Sequence, residues 1–177
     1  SSIIENTSFT PLYDQKKQLF SIGYNLEENR LTNSYYDLLA SEARQTSYIA
    51  VAKGEVPPKH WSRLGRSITV VDFYRGLVSW TGTMFEYLMP LILMKNYKNT
   101  LLDETYSFVV RSQKKYGKHK RVPWGVSESG FYALDIDLNY QYKAVGVPWL
   151  GLKRGLLEDT VVSPYSTFLA LHVDPKS

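Results

Sequence analysis

The sequence predicts a mainly α fold in which paired helices are joined by long loops and short strands. Apolar side chains recur at three- and four-residue steps through 38–50, and an amphipathic pattern of the same period runs through 100–115. Between them, residues 84–97 are apolar on nearly all sides, which is typical of an interior helix. Four or five such helices, arranged in pairs, favour an α/α architecture.

The N-terminal third contains one long predicted helix. Residues 1–19 are polar and irregular, and residues 20–24 alternate briefly, which indicates a short strand entering a turn. Asn33 or Ser34 can cap the helix that follows, and Gly54 can end it just before two prolines. Its apolar stripe consists of Leu38, Leu39, Thr46, Ile49 and Ala50.

The middle of the chain is divided by proline and capping signals. A short helix is predicted over 59–64, and an extended or core-buried segment over 67–73. Pro90 either begins the interior helix or kinks it. Thr100 and Asp103 have the spacing of a capping box, so we expect the next helix to begin there.

The last third is less regular. Residues 122–149 are rich in glycine, proline and aromatic residues, which predicts long structured loops with short strands. Ser163 can cap a final helix with Pro164 in its first turn, continuing through 167–173.

The composition excludes several kinds of site. There is no cysteine, so disulfides, thiolate catalysis and cysteine-bound metals are excluded. The three histidines are isolated and lack the spacing of zinc ligands, so we expect no metal and no cofactor. No segment approaches the roughly 20 apolar residues that a membrane-spanning helix needs.

The net charge of +4 does not by itself indicate a nucleic-acid partner. Much of the basicity lies in 111–121, at the predicted end of a helix, where cations stabilise the helix dipole. Nucleic-acid recognition would require such a patch together with interleaved aromatic residues or a known fold motif. We interpret this cluster as a solvated helix end and expect no nucleic-acid partner.

Two blocks place a carboxylate among aromatic, apolar and glycine residues. They are SWTGTMFEYLMP at 79–90, with Glu86, and VPWGVSESGFY at 122–132, with Glu128. A buried Glu must find a cation or hydrogen-bond donors, or else keep its proton at neutral pH. A proton-holding carboxyl group beside aromatic side chains is what glycosidic-bond chemistry requires. Carbohydrate is therefore the first substrate class to consider.

The two glutamates differ in their expected surroundings. Glu128 lies between two serines and close to Gly130, in a turn that allows a ligand to approach the backbone. Glu86 lies on the predicted interior helix, so a structural hydrogen-bonding role competes with a catalytic one. Both are candidate catalytic residues.

A polar face of the first long helix is a second candidate feature. Asp37, Arg44 and Tyr48 fall on one face because steps of about seven residues return to nearly the same direction. The face is either a solvated helix surface or a sugar-binding stripe. Glu42 falls on the opposite, apolar stripe and is expected to be partly buried.

Nine ordered blocks from residue 20 onward resemble the glucoamylase-like domain of cyclic β-1,2-glucan synthases. They are FSIGY at 20–24, YYDLLASEAR at 35–44, HWSRLGR at 60–66, WTGTMFEYLMP at 80–90, LLDETY at 101–106, PWGVSE at 123–128, LNYQY at 138–142, GLKRG at 151–155 and SPY at 163–165. Nine blocks in order are more specific than any single motif.

The resemblance implies an (α/α)6 toroid with a sugar cleft at one end. It also implies an activity, the cutting of linear β-1,2-glucan and its rejoining to its own far end to give a ring. In this family the domain belongs to a large multidomain synthase at the cytoplasmic face of the bacterial inner membrane, and the segment itself is expected to be soluble and free of membrane contact.

The resemblance also implies roles for individual residues. Glu128 is the candidate acid/base. Sugar subsites would be lined by Trp80, Trp124, Tyr140 and Tyr142, and sugar hydroxyls would be bound by Asp37, Arg44, Lys153 and Arg154.

A full toroid needs about twelve helices, and this chain supplies fewer than half. We therefore expect an irregular segment over 1–19 and the N-terminal portion of the domain over 20–177, an incomplete barrel that a homodimer could complete. The second catalytic carboxylate is expected beyond residue 177. Two other functions stay open, an endo-β-1,2-glucanase that uses water as acceptor, and a carbohydrate-binding fragment without catalysis.

Overall fold

The structure is a computed structural model that describes residues 2–130, 134–140, 143–156 and 160–176. The chain folds as two units, Ser1–Arg66 and Ser67–Ser177. Each unit is described by itself.

The first unit is a mixture of short strands and short helices. Its elements are α1 (Ser2–Asn6), a 3-10 turn (Thr10–Leu12), β1 (Tyr13–Asp14), β2 (Leu19–Ser21), β3 (Tyr24–Asn25), β4 (Arg30–Leu31), β5 (Tyr35–Tyr36), α2 (Arg44–Ala52) and α3 (Lys59–Arg63). Strand β2 is the centre of an antiparallel sheet of order β1-β2-β5, in which Phe20 lies opposite Tyr13 on one side and Tyr36 on the other. Strands β3 and β4 form a separate hairpin.

His60 lies within the core of the first unit. It is fully buried, and its ring is edge-on to Tyr13 at 5.5 Å and to Phe20 at 5.0 Å. Its two ring nitrogens are each 2.9 Å from a partner, the Gln18 carbonyl oxygen and Ser47 Oγ. The imidazole thus joins the sheet to helices α2 and α3 without leaving a buried nitrogen unsatisfied.

The second unit is built around one long helix. Its elements are β6 (Ile68–Val71), β7 (Tyr74–Leu77), α4 (Met84–Leu88), a 3-10 turn (Met89–Ile92), α5 (Leu101–Lys120) and α6 (Pro164–Ala170). Strands β6 and β7 form an antiparallel hairpin whose second strand packs on α5. The approach is close, because a Cβ atom added to Gly76 would lie 2.3 Å from the Phe108 ring.

Helix α5 confirms the predicted amphipathic helix and extends it by five residues. The Thr100 side chain accepts from the Asp103 backbone N–H, as the capping pattern predicts. Arg121 ends the helix in a left-handed conformation with φ of 58°. Lys118 and Lys120 therefore lie in the last turn of the helix, where their charge complements the helix dipole, whereas Arg111, Lys114 and Lys115 lie one to two turns earlier.

The prediction of a mainly α chain that forms part of an (α/α)6 toroid is wrong. Of the residues that the structure describes, only 34% are helical and 16% are strand, and these strands fall in three small sheets. Two predicted helices are much shorter than expected. The helix placed between residues 33 and 54 begins only at Arg44, and the interior helix over 84–97 ends at Leu88.

Both differences have identifiable causes, one in tertiary pairing and one in a single proline. Tyr35 and Tyr36 pair with strand β2 instead of entering a helix, and Leu38 bridges to Gly65, so the backbone there is extended. At the other site Pro90 lies in the first turn of a 3-10 segment, since its ring cannot continue the α-helical hydrogen bonds of α4. Tertiary pairing and one proline thus override the apolar periodicity.

We expect Gly76→Ala to destabilise the second unit by about 1–3 kcal/mol, because the added methyl group overlaps the Phe108 ring and overpacks the interface with α5. Urea denaturation followed by tryptophan fluorescence measures the change. Gly130→Ala is the control, since a Cβ there meets nothing within 4 Å. Equal stability of the two variants would contradict the prediction.

Candidate functional site

The Glu86 carboxylate is buried and fully occupied by donors from its own chain. It accepts from the Ser79 hydroxyl at 2.6 Å and from the backbone N–H groups of Thr81, Gly82 and Thr83 at 2.9–3.2 Å. Thr83 and Glu86 also form a reciprocal capping box at the start of α4. The hydrogen bonds to Glu86 therefore hold residues 79–83, the loop before α4, around the carboxylate.

Glycines allow this loop and the segment 145–153 to approach each other closely. A Cβ atom on Gly146 would lie 1.9 Å from the Thr81 carbonyl oxygen, and one on Gly151 would lie 2.7 Å from the same group. Gly82 has φ of +81°, which favours glycine. Only residues without a side chain allow the two segments to meet this closely.

Two predicted sugar-contacting residues are neighbours on this loop assembly. The Lys153 backbone N–H donates to the Trp80 carbonyl oxygen at 2.8 Å. Trp80 is 56% exposed although the residues around it are buried, and Lys153 is half-buried. The backbones of the two residues are therefore paired, and the Trp80 indole ring is exposed, as a side chain that stacks on a sugar ring must be.

Gln113 of α5 connects the two carboxylate blocks. Its amide nitrogen donates to the carbonyl oxygens of Gly82 and Val126, at 3.0 and 3.1 Å, and its amide oxygen accepts from the Val126 N–H at 2.8 Å. The side chain is fully buried. The loop around Glu86 and the turn before Glu128 are therefore held by one amide.

The turn that carries Glu128 is held by side-chain hydroxyls. Ser127 Oγ accepts from the Phe85 N–H at 3.0 Å, and the Ser163 hydroxyl donates to the carbonyl oxygens of Ser127 and Glu128. The Tyr165 hydroxyl donates to the Glu128 carbonyl oxygen at 2.9 Å and is also 2.9 Å from Ser127 Oγ. The Glu128 side chain itself is half-buried.

The pKa of the Tyr165 phenol also depends on the charge of Glu128. Burial raises the pKa of the Tyr165 phenol, the hydrogen bond with Ser127 lowers it, and the negative charge of Glu128 raises it again. The net direction is upward, and burial is the largest cause, while the charge of Glu128 makes the smallest of the three contributions.

The other predicted subsite residues of the second unit are more dispersed. The Trp124 backbone packs against Gly117 of α5, and Lys114 Nζ lies 5.2 Å from the centroid of the Trp124 ring, so part of this ring is covered. Tyr140 and Arg154 are exposed. Tyr142 lies outside the described residues.

Asp37 and Arg44 belong to the first unit and do not share a helix face, so that prediction is wrong. Asp37 is exposed and precedes α2, whereas Arg44 is the first residue of α2 and is 1% exposed. The Arg44 guanidinium donates to the Ser41 carbonyl oxygen at 3.0 Å. Asp37 is displaced because Leu38 and the Asp37 carbonyl oxygen pair with the backbone of Gly65.

A hollow of about 540 Å³ in the first unit is lined by the Glu42 side chain, which the sequence pattern placed on an apolar helix stripe. Glu42 lines it together with aromatic and amide side chains, among them Phe20, Tyr36 and Gln45. Burial raises the pKa of the Tyr36 phenol, and the charge of Glu42 raises it further. The sequence signal for a carboxylate in this hollow was an acidic residue, Glu42, at an otherwise apolar position of the predicted helix.

Two kinds of feature are missing from the residues that the structure describes. Within them no group of three or more histidine, aspartate or glutamate side chains is arranged to hold a metal ion. Nor does any helix in the described ranges have the length and apolar character needed to cross a bilayer.

Comparison with known proteins gives two matches. Residues 34–177 match the Glycoamylase family, described as "Putative glucoamylase". The chain is also 48% identical over 169 residues to the protein named "Cyclic beta-(1,2)-glucan synthase NdvB" from Rhizobium meliloti (strain 1021). This match covers 96% of the chain but 6% of the length of the relative.

We expect Glu86→Gln to destabilise the second unit by at least about 2 kcal/mol, because the amide turns a donor toward buried N–H groups that then lack an acceptor. Urea denaturation followed by tryptophan fluorescence gives the value. The exposed Glu27→Gln serves as the control. A Glu86→Gln protein as stable as the control would show that these hydrogen bonds do not hold the loop.

Proposed function

The chain belongs to the Glycoamylase family, and from this membership we propose that it is part of a carbohydrate-active enzyme that acts on β-1,2-glucan. The proposed reaction is a retaining transglycosylation that cleaves a linear glucan and rejoins it as a ring. The relative named as a cyclic β-(1,2)-glucan synthase supports the substrate. Because the chain spans only 6% of that relative, the activity is proposed for the complete enzyme.

The same similarity supports the molecular setting. We propose that the chain is one part of a large multidomain synthase at the cytoplasmic face of the bacterial inner membrane. Its partner in the reaction is the glucan, and the chemistry requires no cofactor, since the proton transfers and the covalent capture are carried by carboxyl groups.

The observation that carries the proposal is the way Glu128 is mounted. Its turn is fixed through Ser127, Ser163 and Tyr165, and Gln113 ties the same turn to the loop that presents Trp80. A general acid must hold its proton at a defined distance from the glycosidic oxygen, and a fixed turn provides that precision. Glu128 is therefore the proposed acid/base.

Sugar contacts are proposed for side chains of the same unit. Trp80 offers an exposed ring face, and Lys153 and Arg154 offer donors for hydroxyl groups. Trp124 and Tyr140 would add further aromatic contacts, although Lys114 covers part of the Trp124 ring. Exclusion of water by such contacts favours a sugar hydroxyl over water as the acceptor.

A retaining mechanism needs a second carboxylate as nucleophile. Glu86 meets this need poorly, because its oxygens are occupied by four donors from its own chain. We propose that Glu86 supports the loop, and that the second carboxylate lies in a part of the complete enzyme beyond residue 177.

Two alternatives use the same residues. An endo-β-1,2-glucanase would transfer the glycosyl group to water, and its products would have reducing ends, whereas rings have none. A non-catalytic carbohydrate-binding unit would bind the oligosaccharide without turnover. Product analysis on linear β-1,2-glucan, together with a binding titration, distinguishes the three functions.

We expect Glu128→Gln in the complete enzyme to lower ring formation about 10²–10⁴-fold while glucan affinity stays nearly unchanged, because the amide keeps the shape of the side chain but cannot transfer the proton. Chromatography of the products measures turnover, and calorimetric titration measures binding. Glu104→Gln, an exposed position on α5, is the matched control. Near-normal turnover of Glu128→Gln would refute the assignment.

A further inference from the structure

Tyr165 occupies a distinctive position beside Glu128. Its hydroxyl group lies 2.9 Å from the Glu128 carbonyl oxygen and 2.9 Å from Ser127 Oγ, and the residue is 41% exposed. It stands in the first turn of α6, one residue after Pro164. Thus a side chain that reaches solvent is also bound to the backbone of the proposed acid/base.

The hydroxyl protons of this cluster have one arrangement that satisfies every contact. Ser127 Oγ accepts from the Phe85 N–H, so its own proton is available for the Tyr165 oxygen. The Tyr165 proton then goes to the Glu128 carbonyl oxygen. A directed chain of three hydrogen bonds therefore runs from the start of α4 to the peptide group of Glu128.

This chain of hydrogen bonds restrains one backbone rotation, that of the peptide plane after Glu128. The Glu128 carbonyl accepts from two hydroxyl groups, of Ser163 at 3.2 Å and of Tyr165 at 2.9 Å, so the peptide plane after Glu128 cannot rotate without breaking both bonds. The orientation of that plane sets the direction in which the Glu128 side chain leaves the turn. A misplaced carboxyl group loses its alignment with the bond that it protonates.

We propose that Tyr165 is a positioning residue for Glu128, whose hydroxyl group fixes the turn and so aims the carboxyl group. The inference rests on the proposed function of Glu128. Truncation of the whole side chain would remove the ring together with the hydroxyl group, so the hydroxyl must be tested separately from the ring.

The first test is Tyr165→Phe in the complete enzyme, which keeps the ring and removes only the hydroxyl group. We expect kcat for ring formation to fall about ten- to a hundredfold and KM to change less than about threefold, because the glucan contacts remain while the acid is misaligned. Ser163→Ala, which removes the other hydroxyl on the same carbonyl, should act in the same direction. Tyr97→Phe is the control, since Tyr97 is an exposed tyrosine of the same unit.

The second test does not need turnover. In protein labelled with ¹³C at the tyrosine Cζ, the Tyr165 signal is identified by its absence in Tyr165→Phe. Because the charge of Glu128 raises the pKa of the phenol, Glu128→Gln should move the titration midpoint of this signal to lower pH, whereas Glu104→Gln should not.

The outcomes separate the two proposals. Wild-type kcat in Tyr165→Phe, or an unchanged Tyr165 midpoint in Glu128→Gln, would overturn the positioning role. If Glu128→Gln keeps its turnover, the proposed function fails, and a positioning role for Tyr165 in that reaction fails with it. A reduced kcat together with a lowered midpoint supports the inference.

Discussion

The second unit depends on the burial of one carboxylate. Taking the Glu86 side chain out of water is unfavourable unless its oxygens are fully hydrogen-bonded, and the chain meets this requirement with one hydroxyl and three consecutive backbone N–H groups. Satisfying those oxygens curls residues 79–83 into a tight loop and begins helix α4 at a defined residue. The hydrogen bonds to the Glu86 carboxylate thereby order this loop.

The Glu128 turn builds on that loop through buried polar groups. Gln113 reaches from the middle of α5 to both segments, and Ser127 receives the N–H of Phe85 from the first turn of α4. Such a network is stabilising only when every member is satisfied, and it then specifies a single arrangement. The turn of the proposed acid/base is thus fixed by these hydrogen bonds together with the burial of Val126.

Sequence reasoning identified the family, which the comparisons confirm, together with α3, α5 and the residue at which α6 begins. It failed where long-range pairing decides the backbone. Tyr35 and Tyr36 carry no local sign that strand β2 will pair with them, so a helical pattern beginning at residue 38 was extended too far. Residues 84–97 have the composition of a helix, but composition does not show where Pro90 will turn the chain.

The candidate site was predicted in its chemistry more than in its geometry. Glu86 and Glu128 were identified from their sequence neighbours, because a carboxyl group among aromatic residues is costly to bury without hydrogen-bond donors or a cation. Gln113 was missed, although it occupies a core-facing position between Val109 and Tyr116, where a polar residue signals a buried partner. Tyr165 could not have been connected with Glu128, since 37 residues separate them and no local pattern joins the two.

The tight contact at Thr81 divides this loop into two edges that differ in their tolerance of substitution. On the inner edge Gly146 and Gly151 exclude even a methyl group, so substitution there would force the two segments apart. On the outer edge the Trp80 side chain is 56% exposed. A change of side chain at position 80 therefore leaves the close contact beneath it undisturbed.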